Sequence, residues 1–147
     1  MVEIVERRTI ARQRDDVWAA LAAFDDISTW APNVDHSCLT TEQADDIGAT
    51  RRVQVGRNAM LEEIVDWQPG RELAYSITGL PPVVRSVTNT WRIEASGANS
   101  EVTLMSRIDT GPRPAQQLVG RVVGRVLGKA SRDMLGGLQR HLERDPR

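Results

Sequence analysis

Cysteine is nearly absent: Cys38 is the only one among 147 residues. A lone thiol cannot close an internal disulfide, so packing alone must hold the fold, and a reducing, cytoplasmic setting is expected. The opening MVEIVERR lacks the apolar stretch of a secretory leader, which agrees with that expectation. Histidine occurs only at His36 and His141, and there is no HxH, HExxH or CxxC spacing, so neither a metal nor a cofactor is expected. No run approaches the roughly 20 apolar residues needed to cross a bilayer, so no integral membrane segment is expected. Charge of one sign is lacking too. The 19 Lys and Arg against 20 Asp and Glu leave a formal net charge of −1, which gives no general pull toward nucleic acid, and none is expected as a partner. GRNAM (56–60) and DDIGATR (45–51) have neither the glycines nor the lysine of a phosphate-binding loop.

What is present suffices for a packed protein. A chain of this length with a 40% hydrophobic fraction is expected to form one domain, 1–147, large enough to bury a core. Val2 to Ala11 alternates loosely and reads as a strand. Arg14 to Phe24 places Val17, Trp18, Leu21 and Phe24 at helical spacing, with Asp15 and Asp16 in the first turn, where the helix dipole favours acids. Asp26 to Trp30 reads as a second, very short helix that stops before Pro32. From Val34 onward the helical period disappears. Turn signals around Gly48, Gly56, Gly70, Gly79 and Gly97 divide the chain into six further strands.

The last long segment, Pro112 to about Glu143, is the organising element. Prolines 112 and 114 suit a helix start, and the segment would be roughly 45 Å long as a helix. Val119, Val123, Val126, Leu127, Ala130, Met134 and Leu138 share one arc, with Gly120, Gly124, Gly128 and Ser131 beside it. Each helix-internal glycine costs about 0.5–1 kcal/mol against alanine, so bulk is unwelcome there. Either another backbone approaches closely or the helix leaves space and lines a cavity. Arg121, Arg125, Lys129 and Arg132 form a basic strip beyond the glycines, in a stretch with no acid between 112 and 132. A solvated face is the simple reading, and an acidic protein partner or lipid headgroup is the alternative.

Strand, two short helices, six strands and a long helix make an α+β fold: a seven-stranded, curved antiparallel sheet with one helix large enough to cover its concave face. Alternation then sorts side chains. Val102, Leu104, Ser106 and Ile108 face in, as do Val87, Asn89, Trp91 and Ile93, then Leu73, Tyr75 and Ile77, then Arg51 and Val53. The strand Ala59 to Trp67 stays undecided between Met60, Glu62, Ile64, Asp66 and Leu61, Glu63, Val65, Trp67; either register turns a glutamate inward. An apolar interior with a few convergent polar groups is the usual form of a small-molecule site. A packed core holding a buried Arg–Glu pair is the competing reading.

The series VWAALAAFDDISTWAP (17–32), GATRRVQV (48–55), LEEIVDWQPGRELAYSI (61–77) and EVTLMSRI (101–108), followed by the long helix, resembles the polyketide cyclase/dehydrase group of the START-like (SRPBCC, Bet v 1-like) superfamily. The resemblance spans nearly the whole chain and implies a helix-grip fold with a deep hydrophobic cavity. It also implies that Trp30 stands at the pocket mouth, Glu62 at the family's fourth-strand glutamate and Tyr75 at its fifth-strand aromatic position.

The expected ligand is a hydrophobic small molecule such as a lipid, polyketide or aromatic compound. The expected contacts are Trp30, His36, Arg51, Val53, Glu62, Tyr75, Asn89, Trp91, Leu104, Val119, Val123, Leu127 and Met134. An enzymatic alternative uses Glu62 as base and Tyr75 or Arg51 as donor in a cyclisation or dehydration. A third reading is a regulatory interaction module working through the basic strip. Trp18 reads as core and Cys38 as a small buried hydrophobe. His36 shares parity with Val34 and Cys38 and is the one histidine expected to reach the interior.

Overall fold

Seven runs of extended chain and one long helix account for most of the molecule, and the computed structural model describes residues 1–144. Strand β1 (Val2–Ile10) leads into α1 (Arg14–Ala22) and a 3-10 segment, Phe24–Thr29. Then follow β2 (His36–Leu39), β3 (Thr50–Val55), β4 (Asn58–Gln68), β5 (Glu72–Thr78), β6 (Ser86–Ser96), β7 (Asn99–Asp109) and finally α2 (Pro114–Arg144). The strands form one sheet in the order β1-β7-β6-β5-β4-β3-β2, with every neighbouring pair antiparallel. Consecutive antiparallel connections explain the order from β2 to β7, and β1 completes the sheet by pairing with β7 from the other end of the chain. Gly70 serves one of those connections: the β4–β5 turn requires φ of +78° there, a region open to glycine.

The expected parity holds on β3, β5, β6 and β7. Val87, Asn89, Trp91 and Ile93 are buried along β6, and Val102, Leu104, Ser106 and Ile108 along β7. On β4 a bulge between Ile64 and Asp66 shifts the pairing by one residue. An extra residue swaps the faces beyond it. Glu62 and Ile64 therefore point in before the bulge, while Trp67 packs on the core after it, its ring 4.9 Å from Trp18. Both candidate registers were correct, each over half the strand.

β2 differs from expectation. His36 and Cys38 are exposed, so neither the inward histidine nor the buried cysteine is found. The residue turned toward the molecule is Ser37, whose hydroxyl donates to the Asp25 carbonyl at 2.6 Å and accepts the Ser28 amide at 3.2 Å. The 3-10 segment lies on that face of the strand, and its unpaired backbone groups select the serine.

Helix α2 also departs from the arc drawn above. Its buried positions are Gly120, Gly124, Gly128, Ser131, Met134, Leu135, Gly136, Gly137 and Leu138, whereas Val119, Val122 and Val126 are 37%, 57% and 66% exposed. The contact line in the first half runs through the glycines because β1 is too near for side chains. A Cβ on Gly120 would lie 2.7 Å from Thr110 Oγ1, and one on Gly124 would lie 3.1 Å from Ile4. Close approach, rather than a cavity, accounts for Gly120 and Gly124, whereas a Cβ on Gly128 would meet Ile4 at an ordinary 3.4 Å. In the second half Gly137 lets the helix touch the Trp30 carbonyl, and Leu135 and Leu138 join Phe24, Trp91, Leu73 and Leu104 in the core.

Candidate functional site

Two rows of paired positions cross the concave face side by side. In one, Arg51 on β3 stands opposite Glu62 on β4. In the other, Tyr75 on β5 stands opposite Asn89 on β6, which stands opposite Ser106 on β7. Strand parity turns each of these inward and antiparallel register makes them neighbours, so five polar side chains converge from residues far apart in sequence.

Arg51 is held on every side. Its Nε and one terminal nitrogen both reach Glu62 Oε1 at 2.7 Å, and its other terminal nitrogen donates to the Phe24 carbonyl at 2.7 Å. The guanidinium carbon lies 3.8 Å from the centre of the Phe24 ring and 4.7 Å from that of Tyr75, so cation–π contacts cover its faces. The pair is buried, with side chains 3% and 8% exposed. Because one carboxylate oxygen takes both bonds, Glu62 Oε2 has no hydrogen-bond partner among the described residues.

Around Tyr75 the groups are neutral. Its hydroxyl oxygen receives N–H bonds from Trp91 Nε1 at 3.3 Å and Asn89 Nδ2 at 3.4 Å, and Ser106 Oγ donates to Asn89 Oδ1 at 2.6 Å. Tyr75 is 1% exposed, and burial lifts its pKa above the ordinary 10.0. The Glu62 charge adds to the rise and the Arg51 charge opposes it.

These groups border a cavity under α2. Glu62, Tyr75, Asn89 and Ser106 form its polar wall, with Asn33 and Ser131, and Val53, Met60, Ile77, Val87, Leu127 and Met134 supply apolar surface. Asn33 Oδ1 is a buried acceptor without a partner among the described residues. The cavity measures about 80 Å³. Drug-sized ligands occupy sites of roughly 300–1,000 Å³, so a multi-ring guest requires the lining side chains to move apart.

Of the expected contacts, Val53, Glu62, Tyr75, Asn89, Leu127 and Met134 line the cavity. Arg51 lies behind Glu62, and Trp91 behind Tyr75. Leu104 is fully buried in the core. Trp30 is also core, 7% exposed and edge-on to Trp91 at 5.7 Å, rather than at a mouth. His36 is exposed, Val123 is half-buried away from the cavity, and Val119 borders a separate shallow hollow with Val83 and Arg85. Asn33, Met60 and Ser131 were missed. Asn33 follows a proline in an irregular stretch, and Ser131 is legible only as the residue continuing the glycine line. The basic strip is partly spent: Lys129 pairs with Asp133 at 3.0 Å and Arg132 with Glu6 at 2.8 Å.

A family model described as polyketide cyclase / dehydrase and lipid transport matches residues 1–143. No curated protein sequence matches. Among solved structures, the Zhui aromatase/cyclase from Streptomyces sp. R1128 superposes with a TM-score of 0.83 at 20% identity, covering 99% of this chain and 96% of that one. Ara h 8.0201 gives 0.77 at 14% identity, covering 98% and 99%. The di-domain ARO/CYC StfQ from the steffimycin biosynthetic pathway gives 0.81 at 17% identity, with 97% of this chain covering 51% of that one. At these identities the likeness is one of fold, the helix-grip, Bet v 1-like arrangement. Among the described residues no helix is long and apolar enough to cross a membrane.

Proposed function

The chain belongs to the polyketide cyclase / dehydrase and lipid transport family, and from that premise we propose that it binds a hydrophobic small molecule between the sheet and α2. A lipid, a polyketide or an aromatic compound fits the apolar wall. The observation that carries the reading is polar capacity left over along an otherwise apolar cavity: among the described residues Asn33 Oδ1 is buried without a partner, Glu62 Oε2 accepts no hydrogen bond, and the Tyr75 hydroxyl accepts two N–H bonds but donates none. A packed core seldom leaves polar groups without partners. A ligand with one polar end satisfies them while its apolar body covers Val53, Leu127 and Met134.

Native mass spectrometry of protein purified from its host tests this, alongside Ala130→Phe, which puts a ring into the cavity from α2. The expected result is a co-purifying small molecule on the wild type and none on the variant. A wild type that emerges empty and takes up neither a fatty acid nor an aromatic polyketide overturns the proposal.

An enzymatic reading has one specific support, the same free oxygen. Glu62 Oε2 is placed to remove a proton next to a carbonyl while Tyr75 donates to the oxygen, as a cyclisation followed by dehydration requires. Glu62→Gln keeps the shape and removes the base. If turnover of a poly-β-ketone substrate is unchanged in that variant, Glu62 is not the base.

A further inference from the structure

Hydrogen positions around Tyr75 follow from distances and from what each partner is able to do. Trp91 Nε1 has only a donor, is on a side chain 1% exposed, and its one partner is the Tyr75 oxygen at 3.3 Å. The amide of Asn89 is oriented by Ser106. Their 2.6 Å separation is the length of an O–H···O bond and shorter than the ~2.7–3.2 Å of N–H···O, so the serine hydroxyl donates and Oδ1 is the acceptor. The amide nitrogen therefore faces Tyr75 at 3.4 Å as a second donor. The phenol oxygen takes both incoming protons, and its own proton meets no acceptor among the described residues. Tyr75 lines the cavity.

We propose that Tyr75 is committed to donating its proton into the cavity, with Ser106 and Asn89 as the positioning residues that commit it, so the bound molecule presents a carbonyl-type acceptor oxygen at that point. The assignment rests on the cavity being a ligand site. Two neighbours sharpen it. Burial holds the phenol protonated, and Glu62 Oε2, an acceptor only, borders the same space. The ligand class is thus a largely apolar compound that carries a carbonyl-type oxygen, rather than a hydrocarbon. Against such a ligand Tyr75 polarises the C=O.

The test uses two small probes of the same shape, acetophenone with a ¹³C carbonyl and α-methylstyrene, in which CH2 replaces the oxygen. Binding is measured by calorimetry and the carbonyl stretch by infrared difference spectroscopy. In the wild type the bound stretch is expected below its position in an apolar solvent. Tyr75→Phe should return it there and lower the acetophenone-to-methylstyrene affinity ratio by about 2- to 10-fold, the span of one net hydrogen bond. Asn89→Asp keeps the phenol but gives it an acceptor, so it should abolish the shift as fully as Tyr75→Phe does. Ser106→Ala frees the amide to turn and should weaken the shift, and it stands in if Asn89→Asp does not fold. A merely structural role for Asn89 and Ser106 leaves the stretch of the bound probe unmoved.

An unshifted stretch in the wild type, or a shift that survives both Asn89→Asp and Ser106→Ala, overturns the proposal. If methylstyrene binds and acetophenone is not preferred relative to Tyr75→Phe, the donor assignment fails while the ligand site stands. If neither probe binds the wild type, the ligand site itself fails, and the assignment with it.

Discussion

Removing one half of the Arg51–Glu62 pair should cost far more than removing both, and unequally. Two opposite charges about 4 Å apart attract by about 4 kcal/mol at an effective dielectric near 20, and breaking a buried pair costs about 3–5 kcal/mol because the survivor stays uncompensated. Here the survivors differ. In Glu62→Met, Arg51 keeps a charge it cannot lose, is 3% exposed, and retains only the Phe24 carbonyl and two ring faces. The full penalty of about 3–5 kcal/mol is expected. In Arg51→Met, Glu62 still lines the cavity, where water relieves it, so about 1–3 kcal/mol is expected, the cost of an unsatisfied buried group. The double variant replaces the pair with apolar bulk and should lie within about 1–2 kcal/mol of wild type. Urea unfolding with a fixed m-value reads all four corners of the cycle. A Glu62→Met variant within about 1 kcal/mol of wild type refutes the reasoning, for then Arg51 has another way to be solvated. Equal losses for the two single variants refute the asymmetry.

Three further outcomes follow from other parts of the molecule. Tyr75 is the only tyrosine, so phenolate absorbance reports one residue. Its folded pKa lies above the unfolded 10.0, so its contribution to stability is intact below that pH. The contribution is lost as pH rises through the folded pKa, at most about 1.4 kcal/mol per pH unit; Tyr75→Phe should flatten that decline, and tyrosinate appearing at pH 10 without unfolding would contradict the burial. Gly128→Ala should stabilise by about 0.5–1 kcal/mol, because its Cβ meets Ile4 at an ordinary 3.4 Å, whereas Gly120→Ala should destabilise because 2.7 Å from Thr110 Oγ1 leaves no room; thermal melts with the same sign for both would refute the close-approach reading. Hydrogen exchange should be faster over 116–126 than over 130–140, since the first half of α2 buries glycines and the second Met134, Leu135 and Leu138; uniform protection along the helix would show that the glycine contact with β1 suffices.

How much of this was legible in the sequence depended on how many neighbours fixed each residue. On β6 and β7, eleven residues of clean alternation pair with long partners, and parity alone placed Asn89, Trp91 and Ser106. β2 has four residues, too few for a period, and Ser37 was selected by the Asp25 carbonyl and the Ser28 amide of the 3-10 segment, which no alternation reports. On β4 the two registers could not be reconciled because the bulge adds a residue without a glycine or proline to announce it. The arc on α2 misled for a different reason. Hydrophobicity marked Val119, Val123 and Val126, but the line of closest approach is marked by what is missing, a Cβ at Gly120 and Gly124. The Ser106–Asn89–Tyr75 chain combines three correct parity assignments, and only the pairing offsets between strands, set by turn length, bring them side by side.

The cost of the ion pair bears on what the cavity is for. Apolar residues of similar volume usually fill a core at least as stably as a buried Arg and Glu, so stability alone gives little reason for Arg51 and Glu62 to stand among Phe24, Ile64 and Tyr75. What apolar residues cannot supply is a carboxylate fixed by one oxygen and bare at the other. Arg51 spends both its Glu62 contacts on Oε1, and the Phe24 carbonyl and two rings prevent it from rotating toward Oε2. On the other row, Trp91 and Asn89 fill the acceptor capacity of Tyr75 and leave its proton. One wall thus accepts and the other donates, and each is held by residues that never enter the cavity or that already have their partners. That separation of acceptor from donor orients a guest with a polar end, whether the guest is carried or converted.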